Sequence, residues 1–322
     1  MSKVLITGGC GYVGSHVNKC LSQKGHQTVV LDNLVHGHRE FAKWGRLVEM
    51  DLGDRAGLEK LLAAEKFDAV LHFAGYIAVG ESVREPETYY RNNVGNSLIL
   101  LAAMRQAGLN RIIFSSTAAV YGDPVQIPLG EDHPLAPINP YGRTKLIIEQ
   151  ALRDFSAAYG LRSAALRYFN AAGAAPGAGI GERHVPETHL IPLVLGAALG
   201  KRPEVSVYGA DYDTPDGTCL RDYIHVDDLA EAHVLALEYL EQGGGTDCFN
   251  LGNGNGFSVQ EVISTARKVT GREIKAEITP RREGDAPRLI ASSDKAKRIL
   301  NWKPRYTDLG DIVKTAWEWH KV

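Results

Sequence analysis

Gly8-Gly9-Cys10-Gly11-Tyr12-Val13-Gly14 follows directly on the apolar run Lys3–Thr7 and opens a helical pattern that continues to Gln23. Glycine lets such a turn reverse tightly, lets its backbone approach a pyrophosphate, and lets the helix pack close to the strand. The helix N-terminus then offers free N–H groups and a partial positive charge to phosphates. A glycine triplet alone is weak evidence, because Gly-rich turns are common. Asp32, at the end of the next strand pattern, strengthens it. A carboxylate about 20 residues downstream accepts from an adenosine ribose hydroxyl and repels a 2′-phosphate, which favours NAD over NADP.

The alternation beyond this turn sets the fold class. Gln27–Asp32, Arg46–Asp51, Asp68–Phe73, Arg111–Ser116 and Ser163–Phe169 read as strands. The stretches Gly57–Ala64, Tyr89–Ala107 and Tyr141–Ala158 between them have helix-forming composition. Strand and helix repeated at this spacing predict right-handed crossovers and a doubly wound parallel α/β sheet covered on both faces. After Phe169 the texture changes, with the small-residue segment Ala171–Gly181 and a larger share of loop. Helical stretches Val226–Leu240, Ser258–Thr270 and Leu309–Trp319 and the short strand Cys248–Leu251 predict a smaller C-terminal lobe. The expected division is residues 1–175 for the nucleotide-binding sheet and 176–322 mainly for a substrate lobe, with some segments returning to the first.

Composition removes several classes. With 36 Lys plus Arg against 38 Asp plus Glu, the net charge of −2 gives no reason to expect nucleic acid or an anionic membrane surface. The longest apolar run, Ile191–Leu199, is too short and too interrupted to span a bilayer, and Met1–Thr7 leads straight into a strand pattern rather than a secretory signal. Cys10, Cys20, Cys219 and Cys248 are scattered without a C-x-x-C pair, which suits a reduced cytoplasmic enzyme. Among the 11 histidines, His36 with His38 and His184 with His189 show no carboxylate or third ligand at recognisable spacing, so no metal site is expected.

The chemistry is concentrated in Asn139-Pro-Tyr-Gly-Arg-Thr-Lys145. Tyr141 and Lys145 are four apart at the start of a predicted helix and share one face. A tyrosine is a poor base at neutral pH, and a neighbouring ammonium lowers its pKa into a usable range. Thr117 lies just past a strand end in Ser115-Ser116-Thr117-Ala118-Ala119-Val120-Tyr121-Gly122, where ligands of open α/β sheets bind.

Taken together, G-G-x-G-Y-x-G, H-F-A-G, V-G-E-S, S-S-T-A-A-V-Y-G, N-P-Y-G-x-x-K, L-R-Y-F-N, R-D-Y-I-H-V-x-D-L and R-R-E-G-D run in order from Gly8 to Asp285. In this the chain resembles the UDP-glucose 4-epimerase branch of the extended short-chain dehydrogenase/reductase superfamily, whose sheet is a Rossmann fold. The resemblance implies reversible 4-epimerisation of a UDP-sugar through a 4-keto intermediate with retained NAD. Tyr141 is then the base for the sugar 4-hydroxyl, Thr117 bonds the 4-oxygen, and Lys145 tunes Tyr141 and holds the nicotinamide ribose. The implied cofactor shell is Gly8, Gly11, Tyr12, Val13, Gly14, Asp32, Asn33, Asp51, Leu52, Phe73, Ala74, Gly75, Asn92, Ser115 and Tyr168, with Tyr141 and Lys145. The implied UDP-sugar set is Arg221 and Arg282 on the pyrophosphate, Asp285 on a ribose hydroxyl, Asn170 on the diphosphate side, and His189, Leu190, Ser206 and Tyr208 around uracil. A homodimer through the helices Tyr89–Ala107 and Tyr141–Ala158 is also implied.

Three positions refine the resemblance. Related 4,6-dehydratases carry an acidic pair after the active-site threonine, where this chain has Ala118 and Ala119. Ile77 stands where one epimerase branch has a lysine near the cofactor. Leu289 occupies the family position that gates the sugar 2-substituent and lies between an excluding tyrosine and an admitting small residue. Epimerases of UDP-xylose or UDP-arabinose, or of UDP-N-acetylhexosamines, are therefore the alternative reading, and a non-catalytic NAD sensor is a remote one.

Overall fold

The structure, a computed structural model, describes residues 1–281 and 286–322. The first half runs β1 (Lys3–Thr7), α1 (Tyr12–Gln23), β2 (Gln27–Asp32), β3 (Arg46–Glu49), α2 (Arg55–Ala64), β4 (Ala69–His72), α3 (Val79–Arg84), α4 (Pro86–Tyr89), α5 (Asn96–Gln106), β5 (Arg111–Ser115), α6 (Pro140–Tyr159) and β6 (Arg162–Tyr168). The second half runs β7 (Asn170–Ala172), β8 (Ala174–Ala175), β9 (Ile180–Gly181), α7 (Leu190–Ala198), β10 (Val205–Tyr208), β11 (Leu220–Arg221) and β12 (Tyr223–His225). It continues with α8 (Val226–Glu241), β13 (Asp247–Leu251), β14 (Phe257–Ser258), α9 (Val259–Thr270), β15 (Ala276–Thr279), β16 (Arg288–Leu289), α10 (Asp294–Ile299) and α11 (Leu309–His320).

Seven strands form one parallel sheet in the order β13-β6-β5-β4-β1-β2-β3. The near-continuous apolar strands follow from burial on both faces. On one face Val4, Ile6, Leu71 and Ile113 pack with Val17 and Leu21 of α1 and Leu229, Leu237 and Leu240 of α8. On the other, Leu5, Val70, Ile112 and Phe114 pack with Leu58 of α2, Leu100 and Met104 of α5, and Ile148 and Leu152 of α6. A third cluster joins α7, α9 and α11 to β10 through Val194, Leu195, Val207, Ile263 and Ile312.

Two expectations change. The helix Val226–Leu240 and the strand Cys248–Leu251, grouped by chain order with the smaller lobe, belong to the large sheet layer. The strand has apolar side chains on both sides, Phe249 and Leu251 facing one cluster and Cys248 the other, so only a sheet covered on two faces buries it fully. The single helix expected over Tyr89–Ala107 is interrupted by a π-helical turn, Tyr90–Gly95. Within it Asn93 Oδ1 accepts from Tyr76 N (2.8 Å), and its Nδ2 donates to Tyr76 O (3.0 Å) and Thr144 Oγ1 (3.2 Å). The wider turn aims this amide at the segment after β4 and at α6, contacts that a regular helix need not make.

Burial also leaves a pH signature. His16, His72, His225 and His233 are buried, and burial pushes their pKa values down to about 4, 3, 4 and 4. The unfolded chain therefore binds more protons below pH 6.5, and stability is lost as pH falls through that value. Asp222, raised by burial to about 6, works in the opposite sense. The melting temperature should fall by roughly 5 °C or more between pH 7 and pH 5. The fall should be smaller in His233→Leu, because His233 Nε2 has no partner among the described residues. Identical slopes in the two proteins would show that His233 does not remain neutral.

Candidate active site

All strands of the sheet point the same way, so their carboxyl ends share one edge, and the expected site residues gather along it. At the β1–α1 turn, Gly8 adopts φ +71, and a Cβ there would lie 2.6 Å from Ala74 N. A Cβ on Gly14 would lie 2.3 Å from Gly8 O, so the helix and turn approach as only glycine allows. The N-cap residue of α1, Gly11, makes no side-chain cap, and the first turn has no acidic residue. These N–H groups suit a pyrophosphate. Tyr12 OH donates to Gly173 O (2.6 Å), and Val13 sits beside it in the first turn.

Next along the edge, the buried Asp32 accepts from Cys10 N (2.9 Å) through Oδ2 and from Leu34 N (2.9 Å) through Oδ1. Each oxygen keeps acceptor capacity for a ribose hydroxyl. Asn33 Nδ2 donates to Asp51 Oδ2 (2.7 Å), and Leu52 is buried behind them. Phe73 N and Ala74 N both donate to Thr7 O, at 2.9 and 3.1 Å, which draws the end of β4 against the glycine turn. These donors and this cradle fit NAD.

The proposed reacting groups converge further along. Asn139 caps α6 by accepting from Gly142 N (2.9 Å), and Pro140 starts the helix. Tyr141 N donates to Ser82 Oγ (3.2 Å), which locks the first turn. Thr117, the last extended residue before the turn Ala118–Val120, lies beside the Tyr141 phenol and favours its ionised form. Lys145 Nζ donates to Ser115 O (2.8 Å) and lies 4.9 Å from the Phe114 ring centroid and 5.9 Å from that of Tyr141. Ser115 Oγ and Tyr168 OH are bonded at 2.6 Å, and Gly75 faces Lys145 across the gap. Asn92 Nδ2 donates to Asn93 Oδ1 (3.1 Å) in the π-helical turn.

Burial dominates the electrostatics of the pair. Burial raises the Tyr141 pKa, and the Thr117 hydrogen bond acts against that rise. Lys145 donates one of its N–H bonds to the Ser115 carbonyl (2.8 Å) and keeps its Nζ 5.9 Å from the Tyr141 ring centroid, where a retained ammonium charge favours the phenolate. Burial pushes Lys145 itself down to about 8, with Glu149 opposing.

On the side of the smaller lobe, Asn170 Nδ2 donates to Asp222 O (3.0 Å), and Arg221 Nη1 donates to Leu220 O (2.9 Å) and Ala286 O (2.8 Å). Ser206 and Tyr208 lie on β10, paired with β15. His189 immediately precedes Leu190 at the start of α7. Burial disfavours the His189 proton, but its bond to Glu187 (2.7 Å) and the charges of Glu182 and Glu187 outweigh this and raise its pKa. Leu289 pairs in register with Arg221 and packs on the Ala118, Val120 and Tyr121 cluster, while Ile77 is 39% exposed. Arg282 and Asp285 lie outside the described residues.

The histidine reading also needs correcting. The fold brings the Glu182 carboxylate to His184 and His189, with ligand atoms within 4.8 Å of one another. His184 Nδ1 is bonded to Glu182 and His189 Nδ1 to Glu187, so both imidazoles are already engaged by carboxylates.

A family model described as the NAD dependent epimerase/dehydratase family matches residues 4–252. The chain belongs to this family. It is 53% identical over 317 residues to the UDP-glucose 4-epimerase of Rhizobium leguminosarum bv. trifolii, covering 98% of this chain and 97% of that one. The UDP-glucose-4-epimerase of Stenotrophomonas maltophila, solved with bound NAD and formylated UDP-arabinopyranose, superposes with a TM-score of 0.97 at 41% identity. That match covers 100% of this chain and 98% of that one. The UDP-Glc/GlcNAc 4-epimerase of Campylobacter jejuni superposes with a TM-score of 0.88 at 45% identity, over 100% and 99% of the two chains.

Within this epimerase/dehydratase framework, several groups at the site escaped the sequence reading. Ser82 and Asn93 brace the catalytic helix and the π-helical turn, and Asp222 accepts from Asn253 N, Gly254 N and Ala291 N at 2.8, 3.2 and 3.3 Å. Ser82 lies in the V-G-E-S motif and Asn93 beside Asn92, but their partners are distant in sequence.

Gly14→Ala tests the cradle. The added Cβ meets backbone rather than a flexible side chain. Such overpacking costs about 1–3 kcal/mol, which, where it falls on the cofactor-bound geometry, corresponds to roughly 5- to 150-fold in cofactor retention. NAD released on denaturing the purified variant should fall accordingly, and full retention would rule out a tight approach at this turn.

Proposed function

We propose that this chain catalyses the reversible 4-epimerisation of UDP-glucose and UDP-galactose with bound NAD. The observation that carries the reading is the convergence of Thr117, Tyr141 and Lys145 at the strand edge beside the glycine turn. NAD supplies a hydride acceptor at the sugar C4 that can also give the hydride back. In this reading the large sheet layer holds NAD and the smaller lobe holds the UDP-sugar.

The protein's own groups handle the proton and the orientation. Thr117 bonds the 4-oxygen and holds it near Tyr141. Tyr141 takes the 4-hydroxyl proton as the carbonyl forms and returns it when the carbonyl is reduced, so no net proton is lost. Because burial raises the Tyr141 pKa, its phenolate needs a nearby positive charge, and the Lys145 ammonium is the protein's source of one. Arg221 and Arg282 bind the nucleotide diphosphate, Asp285 accepts from a ribose hydroxyl, and the sugar is left free to present either face. Ala118 and Ala119 carry no exchangeable proton, which disfavours dehydration.

Leu289 favours keeping a second substrate class in view. Its side chain backs the Thr117 turn, and leucine leaves more room than tyrosine for an N-acetyl group. Homodimerisation through the segment the family resemblance implies is supported by Tyr90 and Leu98, apolar side chains 37% and 41% exposed there. Leu98→Arg should convert a dimer into a monomer in light scattering; an unchanged mass would remove this surface from the interface. Among the described residues, no helix is long and apolar enough to cross a membrane.

Purified protein incubated with UDP-galactose and no added NAD should produce UDP-glucose, with UDP-N-acetylgalactosamine and UDP-xylose tested in parallel. No product from any of them, with bound NAD confirmed, would overturn the epimerase reading. Tyr141→Phe should lower kcat by about 10²- to 10⁴-fold while the fold is kept. Retained turnover would remove Tyr141 as the base.

A further inference from the structure

Beneath the reacting groups lies a buried ion pair that the proposed reaction does not use. Glu149 is one helical turn beyond Lys145, on the face of α6 that also carries Tyr141. Its side chain is 2% exposed and meets Arg167 of β6, 1% exposed. Arg167 Nε donates to Oε1 at 2.9 Å and Nη2 to Oε2 at 2.5 Å, a two-pronged arrangement that fixes both planes. Arg153 approaches Oε2 at 3.5 Å from the rim. Desolvating two charges this deep offsets most of their attraction, so net stability is a weak reason for the pair.

The remaining bonds of the pair point to the active-site turn. Ser116 Oγ donates to Glu149 Oε1 (2.6 Å), and Ser116 immediately precedes Thr117. Arg167 Nη1 donates to Tyr121 OH (2.9 Å), which donates to Asn250 Oδ1 (2.5 Å) on β13. Ser116 and Tyr121 bound the short turn Ala118–Val120, so one ion pair holds the turn at both ends. Tyr121 is fully buried and Ser116 2% exposed, so no solvent competes for these bonds.

We propose that the Glu149–Arg167 pair is a positioning device for the reaction, clamping both ends of the Ser116–Tyr121 turn and thereby holding the Thr117 hydroxyl against Tyr141. The inference rests on Tyr141, Lys145 and Thr117 being the reacting groups. The same carboxylate faces Lys145. Among the described residues, Tyr141 on its own helix and neutral His72 from β4 also face that ammonium, while from β6 Tyr168 bonds Ser115 and Arg167 bonds Glu149. Burial disfavours the Lys145 proton and Glu149 favours it, so removing the carboxylate makes Lys145 lose its proton at lower pH.

The test compares Ser116→Ala, Ser116→Thr and Glu149→Gln with the parent and with Tyr141→Phe, each as purified protein with bound NAD quantified. Ser116→Ala should lower kcat for UDP-galactose by up to about 10²-fold, the order that misplacing a reacting group costs, with KM within about twofold and a native circular-dichroism spectrum at the assay temperature. Ser116→Thr, which keeps the hydroxyl, should restore most of that loss. Glu149→Gln should also move the alkaline limb of the kcat–pH profile to lower pH, which Ser116→Ala should not. If Glu149→Gln does not fold, the Ser116 pair decides the matter alone. Parent-like kcat in Ser116→Ala beside an inactive Tyr141→Phe overturns this inference and leaves the epimerase reading standing. Full turnover by Tyr141→Phe overturns both.

Discussion

Seven parallel strands leave two apolar faces to cover, and the chain returns across them through helices except between β2 and β3, where only the short 3-10 turn Arg39–Phe41 intervenes. That requirement places α1 and α8 on one side of the sheet and α2, α5 and α6 on the other. It also puts every strand's carboxyl end at a single edge. Asp32, Phe73, Ser115 and Tyr168 therefore sit at the ends of four different strands yet line one crevice, and α6 begins beside it. The site follows from the way the sheet is covered.

Charge is handled locally. A chain with net charge −2 cannot attract two anionic ligands by its overall field. An uncapped helix start after the glycine turn serves one ligand, and guanidinium groups in the smaller lobe suit the other. Deep in the site the low dielectric sharpens each placement. It lowers Lys145 to about 8, raises Tyr141, and leaves the Glu149–Arg167 pair useful for its rigidity rather than its energy.

Much of this was legible in the chain because its signals are local. The glycine turn, Asp32 and the Tyr141–Lys145 spacing each fall within one strand, turn or helix, where short-range geometry fixes relative placement. The π-helical turn was not legible, because its reason is Asn93 bonding Tyr76 and Thr144, residues 17 and 51 positions away. The grouping of Glu182 with His184 and His189 needed the strand Ile180–Gly181 and the start of α7 to be folded together. Lys145 was expected to act on Tyr141, and folding adds a partner that spacing does not show, the Ser115 carbonyl 30 positions away, which accepts one of its N–H bonds.

By itself, then, the sequence determined the parallel α/β class, the nucleotide turn and the spacing of the proposed reacting side chains, because each depends on residue type at short spacing. Tertiary structure alone decided that β13 and α8 complete the large sheet layer, which helical turn opens into a π-turn, and which charges meet in the interior. The physical reason is that burial and long-range hydrogen bonds, rather than spacing, set where a side chain's proton goes. Glu149 carries the point: four residues from Lys145 it reads as one more polar position on a helix. Folded against Arg167 and Ser116, it anchors the active-site turn.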